Sequence, residues 1–334
     1  MTSCSIHSRT HLKSSIVQQA PIDKIWYVIV NPVAGFGRGL GDLPLITKLI
    51  RENDIPYELV FSQHKHHVTE LTVQAVNDGY RHIMVIGGDG TLHEVVNGLF
   101  IQQVAPVDAV TVAVIPVGTG NDWIRMYGIP TRYSEAIRAV REGHTLLQDI
   151  GEVHYEESHY GQVRYMANVA GAGFDPSVTK IYEHYKAQGR RGKHLYAQGC
   201  VKSFFHYKST GVKVWIDGEF VHKNLLFSIA IGIGKYNGGG AQQLPLAVAD
   251  DGLFDITLYR PMHWWQIIFR LHRLFNGDIY SIGHVKHYRG SNIRIESTPD
   301  IMVEVDGELL GGTPLEFKMH PRCVRVVVNK DYLE

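Results

Sequence analysis

Short apolar runs recur through the first part of the chain, each ending in a polar or glycine-bearing turn. Residues 25–30, 56–61, 83–86 and 110–115 are rich in Val, Ile and aromatic side chains and predict strands. Between and after them, residues 43–53, 68–78, 92–99 and 133–142 repeat their apolar positions at helical spacing. Strands alternating with helices in this way predict a doubly wound parallel sheet covered on both faces. Ligands are then expected beyond the carboxyl ends of the strands.

The pattern changes beyond residue 150, where β-prone stretches dominate: 165–169, 212–216, 225–231, 254–259, 293–297, 301–305 and 323–328. Asp217-Gly218 and Asp306-Gly307 are hairpin-type turns between such stretches. An antiparallel second domain is expected, interrupted by a helix over 178–205 with a break near Gly189 and another over 264–275. The boundary between the halves is expected within 143–150. In the 264–275 helix, the apolar positions 264, 267, 268, 271, 274 and 275 form one stripe, which core packing explains. Arg270 and Arg273 border that stripe and leave a secondary, membrane-facing use open.

A chain of 334 residues suits two domains better than one. Lys+Arg and Asp+Glu both total 33, and a zero formal net charge excludes bulk attraction to nucleic acid. Cys4, Cys200 and Cys323 are far apart and have no metal-type spacing, so neither a disulfide framework nor a zinc site is expected and a reducing cytoplasm fits. Residues 1–20 lack an apolar core, which argues against a secretory signal or a membrane span and for a loose tail. The 19 histidines, His64, His66 and His67 among them, form no His-Glu-x-x-His pair and are expected to be surface or core residues.

Three glycine-rich turns follow the strands of the first half. Val33 to Gly41, which contains Gly35, is by itself equally a phosphate-facing loop or a flexible connection, and it matches neither a P-loop nor a Gly-x-Gly-x-x-Gly pattern. Gly87-Gly88-Asp89-Gly90-Thr91 follows the strand over 83–86 and opens a helix. Glycines allow close backbone approach, and a helix N-terminus favours an anion. Asp89 beside a phosphate implies a divalent cation between them. The third turn, Gly118-Thr119-Gly120-Asn121-Asp122, again follows an apolar strand. Three such turns on one sheet edge, two of them with an Asp, point to a nucleotide phosphate site.

These turns, together with Asn31-Pro32, Gly238-Gly239-Gly240, Asp250-Asp251-Gly252-Leu253-Phe254-Asp255 and Asp306-Gly307-Glu308, stand in the order seen in the diacylglycerol kinase catalytic-domain family, which the chain resembles from about residue 25 to 328. The resemblance implies an α/β ATP-binding domain over 22–148 after a flexible tail over 1–21, and a β-sandwich domain over 149–334 whose last segment packs back on the first. It implies an ATP- and Mg²⁺-dependent kinase that phosphorylates the hydroxyl of a membrane lipid, diacylglycerol before others, giving phosphatidic acid in phospholipid biosynthesis. Such transfer needs neutralised phosphate charge, in-line placement and removal of a proton.

By the same resemblance, the amides of Gly87, Gly88, Gly90 and Gly118 and the hydroxyls of Thr91 and Thr119 hold phosphate oxygens, and Asn31 and Gly35 lie on the nucleotide side. Asp89 holds Mg²⁺, and Asn121 and Asp122 contact nucleotide or metal. Asp306 is the leading proton acceptor, with Glu308 beside it and Asp89 as its rival. A hairpin Asp-Gly chosen for turn geometry alone is the plainer explanation of Asp306. Asp251 and Asp255 resemble a second, structural Mg²⁺ site, for which a solvated loop is the alternative. Peripheral contact with an anionic membrane is implied, and Lys186, Arg190, Arg191 and Lys193 form the clearest basic cluster for it, a solvated helix end being the more common explanation of such a cluster. A homodimer is compatible with the sequence. Ala241-Gln242-Gln243 departs from the common family pattern and bears on the choice of acceptor. A sphingoid-base kinase, an NAD kinase and a nucleotide- or lipid-binding protein with a silent site are the alternatives.

Overall fold

The computed structural model describes residues 21–157, 160–188, 190 and 194–333. The first half runs β1 (Trp26–Val30), α1 (Ala34–Gly41), α2 (Leu43–Glu52), β2 (Tyr57–Phe61), α3 (His67–Asn77), β3 (His82–Gly87), α4 (Asp89–Ile101), β4 (Thr111–Pro116), α5 (Asp122–Met126) and α6 (Tyr133–Glu142). Its strands are parallel in the order β2-β1-β3-β4. β1, β3 and β4 are buried almost throughout, as expected of central strands covered on both faces. α3 packs on α4, and α2 on α6.

The second half continues with β5 (Thr145–Glu157), β6 (Tyr160–Met166), β7 (Val169–Gly173), α7 (Phe174–Ala187), α8 (His194–His206), β8 (Thr210–Ile216), β9 (Glu219–Leu226), β10 (Ser228–Gly232) and β11 (Phe254–Tyr259). α9 (Trp264–Asn276), β12 (Val285–Gly290), β13 (Asn292–Thr298), β14 (Met302–Val305) and β15 (Glu308–Val327) complete it. β14, β7, β10, β11 and β12 form an antiparallel run, and β13 joins β15 to the β8–β9 hairpin. β15 changes partners along its length at two register shifts, near Gly312/Glu316 and His320/Val324. Its start pairs with β14, β5 follows it antiparallel, and Arg325 and Val326 pair in parallel with Thr111 and Val112 of β4. A single strand thus joins the sheets of the two halves, which brings the Asp306 turn toward the glycine loops.

Some sequence expectations change, and the strand expected over 225–231 is split at Phe227 between β9 and β10. The strand expected over 165–169 is broken at Ala167 and Asn168, because their N–H groups, with that of Val169, turn to the Asp306 carboxylate. The strand expected over 323–328 is only the end of β15, and β5 begins within the stretch read as a boundary. Among the described side chains, the apolar stripe of α9 is not core: Ile268, Leu271 and Phe275 are exposed, and Ile267 and Leu274 are half-buried. Arg191 and Lys193 of the expected basic cluster lie outside the described residues. Arg190 stacks over Tyr185 at 4.2 Å and donates to Gln198.

Candidate active site

The register of the parallel strands sets Val30 beside Ile86, Ile86 beside Ile115 and Gly87 beside Pro116, so the three glycine loops leave the sheet at one edge. They touch through bare backbone. A Cβ on Gly118 would lie 2.7 Å from Gly88 Cα and 2.5 Å from Asn121 Oδ1, and one on Gly35 would lie 1.8 Å from the Val117 carbonyl oxygen. No side chain fits at either contact. Gly35, Phe36 and Gly37 have φ of 60°, 63° and 94°, and Arg38 Nη2 donates to the carbonyls of Val117 (3.1 Å) and Gly118 (3.0 Å). The first loop is therefore pinned to the third and is not a flexible connection. Asn31 Nδ2 donates to Thr91 Oγ1 at 3.2 Å, which ties β1 to the second loop. Gly90 and Thr119 are exposed at the rim.

Asp89 opens α4, and its two carboxylate oxygens accept from the N–H groups of Asp122 (3.2 Å) and Trp123 (3.0 Å), so it also caps the short α5. Burial pushes its pKa up to about 6, with the Asp122 and Asp306 charges adding to the rise and the two N–H groups opposing it. Asp89 is thus half-buried and bound at both oxygens. Asp122 is buried, and its Oδ2 accepts from Gly239 N at 2.7 Å, which carries the Gly238-Gly239-Gly240 loop of the second half to the same place. Among the described residues, Asp122 Oδ1 and Asn121 Oδ1 are buried without a hydrogen-bond partner. Arg125 Nε stands 3.9 Å from Asp122 Oδ1 as an ion-pair neighbour, and the two hard oxygens beside the Asp89 carboxylate fit a Mg²⁺ ion.

On the far side of Asp89, one helical turn along α4, stands His93. Its Nδ1 lies 3.0 Å from Asp306 Oδ2 and its Nε2 3.1 Å from Glu308 Oε2, with the imidazole buried. Burial pulls the His93 pKa down, but the bonds to both carboxylates outweigh it and raise it to about 9. Burial raises Glu308, yet His93, Arg164 (3.4 Å) and Lys65 (3.4 Å) outweigh that and hold it at about 2. Asp306, at a left-handed φ of 49°, accepts three backbone N–H groups, from Ala167 (2.8 Å), Asn168 (2.9 Å) and Val169 (3.0 Å), besides His93. Asn97, a further turn along α4, exchanges hydrogen bonds with the backbone of Tyr165.

Sequence reasoning overlooked His93. Asp89, His93 and Asn97 recur every four residues along one line of α4, and that polar stripe was the available signal. Asp251 and Asp255 are brought together, but not for a metal. Asp255 is fully buried, with His287 Nε2 at 2.6 Å and Arg289 Nε at 3.3 Å, and Arg289 also pairs with Asp251. β12 sets Arg289 directly opposite Asp255 in the ladder. The guanidinium occupies the charge position that a second Mg²⁺ requires, so these residues do not fit that ion.

The diacylglycerol kinase catalytic domain family matches residues 25–153, and the YegS C-terminal NAD kinase beta sandwich-like domain matches residues 168–328. The diacylglycerol kinase of Bacillus subtilis (strain 168) is 30% identical over 256 residues, spanning 75% of this chain and 79% of that protein. The diacylglycerol kinase of Staphylococcus carnosus (strain TM300) is 25% identical over 306 residues, covering 91% and 95%. A diacylglycerol kinase structure from Bacillus anthracis superposes with a TM-score of 0.67 at 21% identity, over 92% of this chain and 98% of that one. Yeast NADH kinase, solved with NADH, shares the fold at a TM-score of 0.51 and 13% identity, over 94% and 85%.

Proposed function

The chain belongs to the diacylglycerol kinase catalytic-domain family and is a lipid kinase, and from that premise we propose that it transfers the γ-phosphoryl group of MgATP to the hydroxyl of diacylglycerol. The observation that carries this proposal is the joining of three glycine loops by bare backbone at one sheet edge, with the carboxylates of Asp89 and Asp122 beside them. The bare backbone of Gly88 and Gly118 admits phosphate oxygens to the N-terminus of α4 without side-chain bulk, while the Gly118 N–H itself is donated to the Gly87 carbonyl at 3.2 Å, which corrects its expected role as a phosphate donor. Asn121 and Asp122, each with a buried side-chain oxygen that accepts no hydrogen bond, would hold the ion together with Asp89. Bound there, Mg²⁺ neutralises phosphate charge. The names of the relatives support diacylglycerol over a sphingoid base. The apolar surfaces of that substrate also make peripheral contact with an anionic membrane part of the proposal.

Two carboxylates compete for the hydroxyl proton. Asp306 has its oxygens taken by three N–H groups and a charged imidazole, which leaves little for a substrate hydroxyl. Asp89 is less enclosed, its oxygens accepting only the N–H groups of Asp122 and Trp123 among the described residues. This supports Asp89 as the proton acceptor, with Asp306 and Glu308 positioning the site through His93. The test follows phosphate transfer from labelled ATP to dioctanoylglycerol, a sphingoid base and NAD, with binding of a non-hydrolysable ATP analogue measured in parallel. Labelled phosphatidic acid is expected, and Asp89→Asn should lose roughly 10²–10⁴-fold in turnover while still binding the analogue. Label in NAD alone overturns the lipid acceptor. Full turnover in Asp89→Asn together with loss in Asp306→Asn returns the proton to Asp306.

A further inference from the structure

The long apolar side chains of α9 face outward. Trp265, Ile268, Phe269, Leu271 and Phe275 are 48%, 55%, 74%, 50% and 54% exposed, whereas Arg270 and Arg273 are half-buried. Positions 265, 268, 269, 272 and 275 share one face of the helix, so the exposed groups are contiguous and not scattered. The helix itself is firmly terminated. His263 N donates to Gln266 Oε1 at its start, and Gly277 closes its end in the left-handed conformation with φ 79°. A well-capped helix with its apolar face in water exposes surface that costs free energy unless something covers it.

The ionisable groups of α9 and its approach are basic, and the nearest carboxylate along the chain is Asp278 just past the helix, which pairs with Arg273 at 3.8 Å. From residue 260 to 276 the chain carries Arg260, His263, Arg270, His272 and Arg273 and no Asp or Glu. An apolar face of Trp, Phe, Ile and Leu with cationic neighbours fits the boundary between headgroups and acyl chains of an anionic bilayer. The helix is also joined to the active site. Gln242 N donates to Leu274 O at 2.6 Å and Gln242 Nε2 to Phe275 O at 3.0 Å, so the end of α9 is tied to the segment that follows the glycine triplet. Gly239 of that triplet donates to Asp122. The departure from the family pattern at Ala241-Gln242-Gln243 thus falls where the chain connects α9 to the catalytic loops.

We propose that α9 is the membrane-docking element, lying in the surface of an anionic bilayer with Trp265, Ile268, Phe269 and Phe275 inserted and its C-terminal end leading to the site. This rests on the lipid-kinase reading, since the acceptor resides in that bilayer. The experiment sediments the full chain, without ATP, with vesicles of phosphatidylcholine alone or mixed with phosphatidylglycerol. It compares wild type with the double variant Ile268→Ser/Phe269→Ser. Both positions are exposed, so the melting temperature is expected to stay at the wild-type value, and a matched melting curve is the entry condition for each comparison.

The wild type is expected to pellet with the mixed vesicles and to be released by salt, and the variant to lose roughly ten-fold or more of that binding. Turnover on a short-chain, water-dispersed diacylglycerol should be the same for both. A variant that pellets as the wild type does overturns the proposal. So does a wild type that elutes as a dimer while the variant elutes as a monomer with vesicle binding unchanged, because a second copy then covers the face. A wild type that binds vesicles but phosphorylates no diacylglycerol leaves docking standing and removes the kinase reading.

Discussion

His93 is the residue on which the two halves of the site converge. It sits on α4 of the first half and is clamped between Asp306 and Glu308 of the second, with its side chain 4% exposed. A buried imidazolium between two carboxylates needs both partners, because each charge left unpaired costs heavily. Its pKa is raised to about 9, above the ordinary value of 6.5. The clamp therefore stabilises the fold fully below about pH 6.5 and loses that contribution as the pH rises through about 9. Melting temperature measured across this window should fall with pH in the wild type and stay flatter in His93→Gln. At neutral pH His93→Gln should be less stable by about 3–5 kcal/mol by urea unfolding. Equal slopes in both proteins would mean that the pairing is not what titrates.

At the scale of elements, the decisive fact is that three loops from separate βα units meet without side chains between them. Gly118 and Gly88 approach so closely that one added methyl must push two backbones apart. Overpacking of this kind costs about 1–3 kcal/mol, and read through binding it is roughly ten-fold or more in affinity. Gly118→Ala should weaken binding of the ATP analogue by that factor. Gly90→Ala, at an exposed position with open space where its Cβ would lie, should bind nearly as the wild type does. Calorimetric titration of both proteins separates a steric loop contact from general disturbance of the fold. The glycine loops were legible in the sequence because a turn after a strand is local. Their contact was not, since it depends on strand order and register.

Across the whole molecule, β15 and the His93 clamp hold the halves in one piece, and the second half has a charge cluster of its own. Arg289, beside Asp251 and Asp255, supplies internally the positive charge that the sequence pattern assigns to an ion. Arg289→Gln should lower the melting temperature, and added Mg²⁺ or Ca²⁺ should restore part of it by binding the folded state. The nucleotide-free wild type should be insensitive to chelator, and a wild type that melts earlier in chelator would reinstate a metal there. No helix among the described residues is long and apolar enough to cross a membrane. What the amino-acid sequence determines by itself is the alternation of buried strands and helices in the first half, the hairpins at Asp217-Gly218 and Asp306-Gly307, and the glycine turns, because each follows from propensity and backbone freedom over a few residues. Tertiary structure alone decided the rest. His93 meets Asp306 and Glu308 across 213 and 215 residues, Arg289 meets Asp251 across 38, and α9 turns its apolar stripe outward. No local pattern encodes which distant charge lies opposite or which face of a helix finds a partner, since both are settled by long-range packing.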